Sequence, residues 1–284
     1  MTYDQLCRQT TASLTPLYGA REASALTETA LRFLKSWSRT DYVVNSDREP
    51  SDYIVRKMDE ITARLLRHEP IQYITGEAYW HGLTLKVTPD VLIPRPETSE
   101  LVDIIADREK GRDLMVADLC TGSGCIAIAL ALGLDFATVS GVDISEKALD
   151  VARENSRQYH ARVNWIPGDV LDPKATFNLP AGGLDFIVSN PPYVLESEKK
   201  DMAPNVLDHE PPTALFVPDT DPLKFYTAIA DHGTTLLKPG GRLYFEINPL
   251  EADALLKMLE EKGYTDCAVL PDIHGRKRFA IAII

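Results

Sequence analysis

The stretch of sequence that decides the fold is residues 114–132, which read LMVADLCTGSGCIAIALAL. Its first part, Leu114–Leu119, is a short and mostly apolar run of the kind that forms a buried strand, and Cys125–Leu132 predicts a helix. A loop containing Gly122 and Gly124 lies between them. Because strand, glycine loop and helix in this order open a βαβ unit, we expect a parallel sheet.

The same alternation continues to the end of the chain. The other runs that predict strands are Thr138–Val142, Arg162–Ile166, Phe186–Val188 and Leu243–Ile247, and the other predicted helices are Ser145–Tyr159, Leu223–Leu237 and Leu250–Lys262. The last two predicted strands, Asp266–Leu270 and Arg278–Ile284, are only about seven residues apart, too few for a crossover helix. We therefore expect an open α/β sheet with helices on both faces and an antiparallel pair at its end.

The chain before this region has a different character. Apolar residues recur with helical spacing over Leu26–Trp37 and Ile54–Leu65, and an earlier helix should end near Pro16 and Gly19. Strand-like alternation and a proline-rich connector follow. The domains that we expect are a helical N-terminal domain over residues 1–75, a hairpin and linker over 76–96, and an α/β domain over 97–284.

Composition limits the class of protein. The chain has 284 residues, of which 44% are hydrophobic and 25% are charged, a composition typical of globular proteins. No stretch approaches the roughly 18 apolar residues of a membrane span, and the first residues lack the pattern of a signal peptide. The cysteines show no CxxC spacing, which argues against a zinc ribbon and a disulfide framework. We expect a cytoplasmic protein without a metal site or membrane association.

The net charge of −12 is unevenly distributed. Residues 1–75 carry 10 basic and 10 acidic side chains, so residues 76–284 carry 20 and 32 and hold the whole excess. A negative protein is poorly suited to binding that depends on neutralising phosphates, so we expect no stable binding of nucleic acid. The asymmetry itself indicates two modules with different tasks.

The glycine loop matches a nucleotide-binding fingerprint. Gly122, Gly124 and Ala127 satisfy the pattern G-x-G-x-x-[GA] in the correct context, after a strand and before a helix. The match alone is weak, and a plain tight turn is the alternative. Asp118 closes the strand before the loop, where its charge would oppose a pyrophosphate but could hold a cation.

Two further carboxylates follow the next predicted strands. Asp143 ends the second strand, where it could accept both hydroxyls of a ribose, and Asp169 follows the third, where it could meet an adenine amino group. Each could instead be a helix N-cap. Because the carboxyl ends of parallel strands are the ligand-binding side of such sheets, we favour a cofactor with adenine, ribose and a cationic tail, S-adenosylmethionine.

The motif Asn190-Pro191-Pro192-Tyr193 follows a predicted strand and is more specific than the glycine loop. Two prolines fix φ and remove two N–H donors, which leaves nearby carbonyls free to accept hydrogen bonds. The Asn190 side chain adds another carbonyl oxygen. Together they could grip an NH2 group on a planar system, on which Tyr193 could stack. The alternative is a proline turn with a capping asparagine.

Methylation of an amide explains why acceptors are needed. An amide nitrogen is a poor nucleophile because its lone pair is delocalised into the carbonyl group. Attack on a methyl sulfonium builds positive charge on this nitrogen, which preplaced acceptors would stabilise. Holding the nitrogen in line with the methyl group contributes up to about 7–11 kcal/mol. No strong general base is evident beside the motif, so the proton could leave after the transfer.

Several stretches resemble signatures of the HemK/PrmC family of protein-(glutamine-N5) methyltransferases. The resemblance covers roughly residues 60–284. Its motifs are Asp118–Gly124, Asp143 and Asn190–Tyr193, together with Glu69–Gly76, Leu92–Thr98, Leu237–Gly241, Phe245–Ile247, Asp272, Gly275 and Arg278.

This resemblance implies a seven-stranded, Rossmann-like methyltransferase domain and a helical domain that helps to dock a class I peptide chain release factor. The acceptor would be the glutamine of a Gly-Gly-Gln motif, bound by Asn190 and the carbonyl of Pro191, and S-adenosylhomocysteine would be the second product. The expected catalytic residues are Asn190, Pro191, Pro192 and Tyr193. The expected cofactor-binding residues are Asp118, Cys120, Thr121, Gly122, Ser123, Gly124, Asp143, Asp169, Val170 and Asn190.

Three positions depart from the family pattern. Cys120 replaces the first glycine of the loop, so we expect that its backbone cannot use glycine-only conformations. Val170 stands where an aromatic often packs on the adenine, and Asn248-Pro249 follows the Phe-Glu-Ile stretch in place of a glycine. These departures concern affinity rather than the reaction.

Three other interpretations of the sequence remain. An adenine-N6 DNA methyltransferase shares the Asn-Pro-Pro-aromatic motif, but it would need base flipping and a basic groove, which the net charge disfavours. An rRNA or small-molecule methyltransferase is a weaker possibility. A non-catalytic module that binds S-adenosylmethionine or NAD would have no use for Asn190–Tyr193.

Overall fold

The computed structural model describes residues 1–111 and 113–284. The chain divides into two compact units. The first comprises Met1–Glu77 and Ala203–His209, and the second comprises Ala78–Met202 and Glu210–Ile284. Across the described residues, we find no helix with both the length and the apolar character of a membrane span.

The helices and strands follow one another in the order that the α/β pattern requires. The first part of the chain contains α1 (Tyr3–Lys35), α2 (Arg39–Asn45), α3 (Asp52–Leu65), α4 (Ile71–Thr75), β1 (Glu77–Trp80) and β2 (Leu83–Lys86). The middle contains α5 (Pro96–Arg108), β3 (Met115–Leu119), α6 (Cys125–Gly133), β4 (Thr138–Asp143), α7 (Glu146–Gln158), β5 (Val163–Pro167) and β6 (Leu184–Ser189). The last part contains β7 (Val194–Leu195), α8 (Pro204–Leu207), β8 (Phe216–Val217), α9 (Lys224–Leu236), β9 (Leu237–Glu246), α10 (Ala252–Glu261), β10 (Thr265–Pro271) and β11 (Lys277–Ile283).

The first unit is helical, and its longest element is interrupted. α1 departs from helical geometry at Gly19, whose φ of 75° and ψ of 161° are readily adopted by glycine. Pro16, near which a helix end was also expected, lies within the helix. The two halves of α1 lie side by side, since Thr11 Oγ1 donates a hydrogen bond of 3.0 Å to Thr27 Oγ1. The break was predicted, but the short helices α2 and α4 were not. Leucines and a methionine on α1 and α3 form the core, including Leu6, Leu14, Leu31, Met58 and Leu65.

The second unit is built on a seven-stranded sheet with the order β10-β11-β9-β6-β3-β4-β5. β9, β6, β3, β4 and β5 are parallel, and β11 runs antiparallel to both β9 and β10. The predicted open α/β sheet with a final antiparallel pair is therefore confirmed. Neighbouring residues of β9 face different cores, Tyr244 on one side of the sheet and Phe245 on the other, as the alternation of a strand requires.

The centre of the sheet is the point where the strand order reverses. β3 pairs with β4 on one side and with β6 on the other, so the loops after β3 and β6 leave in different directions and open a crevice. Leu119 pairs with Ser189, and Ser189 Oγ donates a hydrogen bond of 2.5 Å to the Leu119 carbonyl oxygen. This register places the loop that begins at Cys120 beside Asn190.

Candidate active site

A cavity of about 370 Å³ opens at the carboxyl ends of the central strands. It is bounded by the glycine loop, by residues after β4, β5 and β6, by the connector before α5, and by Pro211–Pro218. Of the residues predicted for the site, those that line it are Cys120, Thr121, Gly122, Ser123, Asp143, Asp169, Val170, Asn190 and Pro192. Four predicted residues do not line it: Asp118, Gly124, Pro191 and Tyr193.

A second cavity, of about 470 Å³, adjoins the first and shares Val170, Leu171 and Lys224 with it. Its lining includes neither the glycine loop nor the Asn-Pro-Pro-Tyr motif. We therefore assign the chemistry to the first cavity.

The glycine loop turns through three residues with positive φ: Cys120 at 63°, Gly122 at 54° and Gly124 at 80°. The backbone of Cys120 adopts the left-handed region, which a side chain makes costlier by about 1–2 kcal/mol but does not forbid, so this is not a conformation that only glycine can use. Burial raises the pKa of the Cys120 thiol well above its usual range, so this side chain is neutral.

Gly124 acts through packing rather than by lining the cavity. A Cβ atom there would lie 2.7 Å from the Trp165 ring and 3.0 Å from the Ala152 side chain. The residue caps α6 at its N-terminus, where the helix passes close to β5. The structure thus gives Gly124 a role in holding α6 against the sheet, and its contact with a cofactor stays a prediction.

Asp118 also differs from its predicted role. It is fully buried, and its Oδ2 accepts hydrogen bonds from Thr121 Oγ1 at 2.5 Å and from the Ala127 N–H at 3.2 Å. Its Oδ1 has no hydrogen-bond partner among the described residues. Burial raises the pKa of Asp118 to about 7. Because the side chain organises the loop from below, it does not offer an open anionic surface to a cation.

Asp143 stands in the cavity wall at the end of β4. Its Oδ2 accepts from the Gly122 N–H and its Oδ1 from the Ser145 N–H, both at 2.9 Å. Each oxygen keeps a second lone pair, so both hydroxyls of a ribose could still donate to it. Desolvation raises the pKa of Asp143, although these N–H groups act in the opposite direction.

Asp169 and Val170 form the wall beyond β5. Asp169 Oδ1 accepts from the Leu171 N–H at 2.8 Å, and its other oxygen accepts no hydrogen bond from the described residues. Val170 is buried, and its carbonyl oxygen lies 3.0 Å from His232 Nε2. An acceptor beside a buried apolar side chain is suited to an adenine ring with its amino group.

The loop is poorly suited to a phosphate group. The N–H of Thr121 donates to the Val142 carbonyl, that of Gly122 to Asp143, and that of Gly124 back to the Thr121 carbonyl. These donors are therefore not free to cradle a pyrophosphate. Carboxylates line the cavity where a pyrophosphate would need N–H donors. The residues present therefore fit a cationic nucleoside cofactor better than a dinucleotide.

Two residues of the Asn-Pro-Pro-Tyr motif, Asn190 and Pro192, line the cavity. Asn190 Nδ2 donates to Thr98 Oγ1 at 3.2 Å, and no described residue donates to its Oδ1. Pro191 and Pro192 are buried. Tyr193 does not line the cavity, and its hydroxyl donates to Glu246 Oε1 at 3.0 Å. This contact anchors the hydroxyl, and stacking of the Tyr193 ring on the substrate stays a prediction.

Sequence reasoning missed residues that hold the motif and the cavity wall. Glu246, 1% exposed, accepts from both Tyr193 and Thr98, the latter at 2.6 Å. Glu210, also buried, accepts from Arg95 at 2.6 Å and from the Ile93 N–H at 3.2 Å. Glu246, Thr98, Arg95 and Ile93 all lie in stretches that carry the family resemblance, but their roles could not be read from it.

The seven-stranded sheet and the carboxylate-lined cavity at its switch point define an S-adenosylmethionine-dependent methyltransferase. The family model described as the methyltransferase small domain matches residues 97–215, and the PrmC N-terminal domain model matches residues 5–76. Among solved structures, a methyltransferase from Pyrococcus furiosus has a TM-score of 0.52 at 15% identity, covering 79% of this chain and 98% of that one. That likeness supports the fold alone.

Relatives that are similar over nearly the full length of the chain identify its family within the methyltransferases. A release factor glutamine methyltransferase from Bacteroides thetaiotaomicron is 44% identical over 270 residues, covering 95% of this chain and 96% of the relative. The protein of the same name from Streptococcus pneumoniae is 40% identical, covering 88% of each chain. The chain belongs to the family of release factor glutamine methyltransferases.

Proposed function

We propose that this protein transfers a methyl group from S-adenosylmethionine to the side-chain amide nitrogen (N5) of the glutamine in the Gly-Gly-Gln motif of class I peptide chain release factors. One observation carries the proposal: Asn190, with its oxygen unengaged, lines the same cavity as Asp143 and Asp169. The names of the relatives support the choice of substrate.

Different residues of the cavity would bind different parts of the cofactor. Asp143 would accept hydrogen bonds from the ribose hydroxyls and Asp169 from the adenine amino group, with Val170 packed on the base. Residues Cys120–Ser123 would form the remaining wall. When bound, S-adenosylmethionine supplies a methyl group on a positively charged sulfur, and S-adenosylhomocysteine remains after the transfer.

The motif holds the nucleophile. Asn190 Oδ1 and the Pro191 carbonyl oxygen accept from the two N–H bonds of the substrate amide and so fix the plane of the NH2 group. As positive charge develops on the nitrogen, both acceptors stabilise it without having to reorient. A proton of the nitrogen then leaves to water. Burial raises the pKa of the Tyr193 hydroxyl, so that group stays protonated and does not serve as the base.

The proposal extends to the partner and its location. The helical first unit would help to dock the release factor, and the enzyme would act in the cytoplasm, without stable binding to nucleic acid or membranes. The domain boundaries that we propose for these roles are residues 1–75, 76–96 and 97–284.

A labelling experiment tests the function. The full chain is incubated with methyl-labelled S-adenosylmethionine and either a class I release factor or DNA. We expect label only in the release factor, on the glutamine of Gly-Gly-Gln, as located by mass spectrometry. The variant Asn190→Ala should lose at least about 100-fold in rate, the scale of losing one preorganised charge-stabilising group, while cofactor affinity changes less than about threefold. Label in DNA but not in the release factor would overturn the proposal.

A further inference from the structure

We propose that Thr98 and Glu246 are positioning residues that fix the side-chain amide of Asn190 with its oxygen toward the substrate. The inference rests on the proposed function and names two residues that act in it without contacting the reacting atoms. It follows from the direction of a hydrogen-bond chain that begins at a buried carboxylate.

The chain has two links. Asn190 Nδ2 donates to Thr98 Oγ1 at 3.2 Å, and Thr98 Oγ1 donates to Glu246 Oε2 at 2.6 Å. Thr98 is 2% exposed and Glu246 is 1% exposed, so water does not compete for either link. Thr98 and Asn190 both line the cavity, but of the three residues only Asn190 is partly exposed.

The direction of the chain follows from charge. An ionised carboxylate only accepts hydrogen bonds, so the single hydrogen of the Thr98 hydroxyl must point to Glu246. The hydroxyl then has only lone pairs left for Asn190, and only the NH2 end of the amide can face it. The oxygen end of Asn190 is thereby turned away from Thr98.

This direction matters because the two ends of an asparagine amide have nearly the same shape. Packing alone distinguishes them poorly, yet their chemistry is opposite. A flipped Asn190 would present N–H donors to a substrate nitrogen whose own hydrogens need acceptors and which becomes positive during the reaction. The negative charge of Glu246, two hydrogen bonds away from Asn190, excludes the flipped orientation of the amide.

The same carboxylate also holds the other end of the motif. Glu246 Oε1 accepts from the Tyr193 hydroxyl at 3.0 Å, while the backbone carbonyl of Glu246 accepts from the Tyr226 hydroxyl at 3.0 Å. Asn248 Nδ2 donates to the Tyr193 carbonyl at 3.2 Å. One oxygen of this buried carboxylate thus contacts Tyr193 directly and the other reaches Asn190 through Thr98, as expected of a residue that orients the segment.

The ionisation of Glu246 should therefore control the rate. Burial raises the pKa of Glu246, and hydrogen bonds from Thr98 and Tyr193 and the charge of Arg278 act against that rise. The titratable or charged groups that face Glu246 are Tyr193, Tyr226, Arg278, Glu97 and Cys125. When Glu246 binds a proton it can itself donate to Thr98, and the direction of the chain is lost. We expect kcat to fall as pH falls through the raised pKa.

The first test uses two variants of Thr98 in the full-length enzyme. Thr98→Val keeps the shape and removes the hydroxyl, so kcat should fall about 10- to 100-fold, as for a misplaced reacting group. The KM for release factor and the Kd for S-adenosylmethionine should change less than about threefold. Thr98→Ser restores the hydroxyl and should stay within about threefold of wild type.

The second test uses Glu246→Gln, alone and combined with Thr98→Val. The single variant should lower kcat and lose the acidic limb of the pH profile, and the double variant should be no slower than the slower single variant, because both act along one chain. Glu109→Gln is the matched control. Glu109 is another buried carboxylate that accepts from a tyrosine hydroxyl, that of Tyr244 at 2.5 Å, and this variant should keep the wild-type pH profile.

A third measurement does not depend on activity. In protein labelled with 15N-asparagine and saturated with S-adenosylhomocysteine, the side-chain NH2 resonances of Asn190, assigned with Asn190→Ala, should shift with pH in wild type and not in Glu246→Gln. They should also move in Thr98→Val. If they are unchanged in Thr98→Val, or if that variant keeps wild-type kcat, the inference is wrong. If wild type fails to methylate the release factor, the proposed function fails and these resonances still decide the inference.

Discussion

Asp118 shows how a buried carboxyl group can organise a loop while its own ionisation is disfavoured. Two hydrogen bonds from the loop and the start of α6 reach its Oδ2, while its Oδ1 lacks a partner among the described residues. Desolvation is the main cause of the rise of its pKa to about 7, and the hydrogen bonds from Thr121 and Ala127 only partly offset it. Below neutral pH the folded protein therefore prefers this carboxyl protonated.

The sign of the resulting pH dependence can be tested with Asp118→Asn. An unfolded aspartate titrates near pH 3.9, so between about pH 4 and 7 the unfolded chain releases a proton that the folded chain retains. Stability that depends on this proton is present below pH 4 and is lost as pH rises to about 7. Asparagine can still accept from Thr121 and Ala127 and has no charge to bury. Denaturant unfolding should show Asp118→Asn gaining stability relative to wild type across this window.

The control for that measurement is Asp219→Asn on the surface. The pKa of Asp219 is lowered, mainly by its hydrogen bond from the Ser197 side chain, so its effect has the opposite sign and occurs at more acidic pH. If the stability difference between Asp118→Asn and wild type does not change between pH 4 and 7, the carboxyl is not protonated in the folded state.

At the scale of single residues, the sequence predicted which side chains lie at the site but not which contacts orient them. Asp143, Asp169 and Asn190 directly end or follow parallel strands, so the pattern of strands alone put them at one edge. The partners that orient Asn190 lie far away along the chain: Thr98 is 92 residues from it, and Glu246 is 148 residues from Thr98. Such pairings are set by the register between strands, which local spacing does not contain.

Among the elements, the connector before α5 and the segment Pro211–Pro218 both contribute to the wall of the cavity. Glu210 ties them together, because its carboxylate accepts from the Arg95 side chain and from the Ile93 backbone. Trp80 Nε1 donates to the Arg95 carbonyl at 2.7 Å and fixes the connector from the hairpin side. Proline-rich stretches without regular structure are thus given a defined position by buried polar contacts.

Replacing Glu210 with glutamine should loosen this wall. The variant loses the charge that pairs with Arg95 and leaves buried groups imperfectly satisfied, which costs about 1–3 kcal/mol. We expect weaker binding of S-adenosylmethionine by calorimetry together with lower thermal stability. Glu69→Gln, which breaks the Arg64–Glu69 ion pair of the first unit, is the control and should leave cofactor affinity unchanged. Equal affinities in both variants would contradict this role of Glu210.

The sheet was more predictable than the elements around it. Buried parallel strands are continuous apolar runs and amphipathic helices have a clear period, so their order and approximate bounds were predicted. The exceptions have local causes. Pro96, the last residue of the predicted linker, is the first residue of α5, since proline suits the first turn of a helix. β9 begins at Leu237 rather than Leu243, with an irregularity in its pairing with β6 that the sequence does not reveal.

At the scale of the whole molecule, the distribution of the net charge of −12 bears on the kind of partner that the protein binds. The excess of acidic residues lies in residues 76–284, which contain every residue of the cavity. Asp143 and Asp169 account for a small part of it, and many of the others are exposed. We infer that the remaining charge favours a basic protein partner, which a release factor that enters the ribosome should be.

That inference predicts a dependence on salt. Exposed charges are screened over about 8 Å at physiological ionic strength, so the affinity for the release factor should fall as sodium chloride is raised from 50 to 500 mM. The affinity for S-adenosylmethionine, which is held inside a cavity, should change much less and serves as the internal control. An affinity for the release factor that is independent of salt would remove the role of charge.

The division of the chain into units has a practical consequence for dissecting the enzyme. Since Ala203–His209 belongs to the first unit, the chain leaves the second unit after Met202 and returns at Glu210. A fragment that stops at Glu77 would lack a piece of its own unit, including the His209 ring that lies 3.1 Å from the Arg67 carbonyl oxygen. The complementary fragment from Ala78 would carry that piece as a foreign insert. Expression of either half therefore needs a redesigned boundary, in which seven residues are grafted onto one fragment and replaced by a short linker in the other.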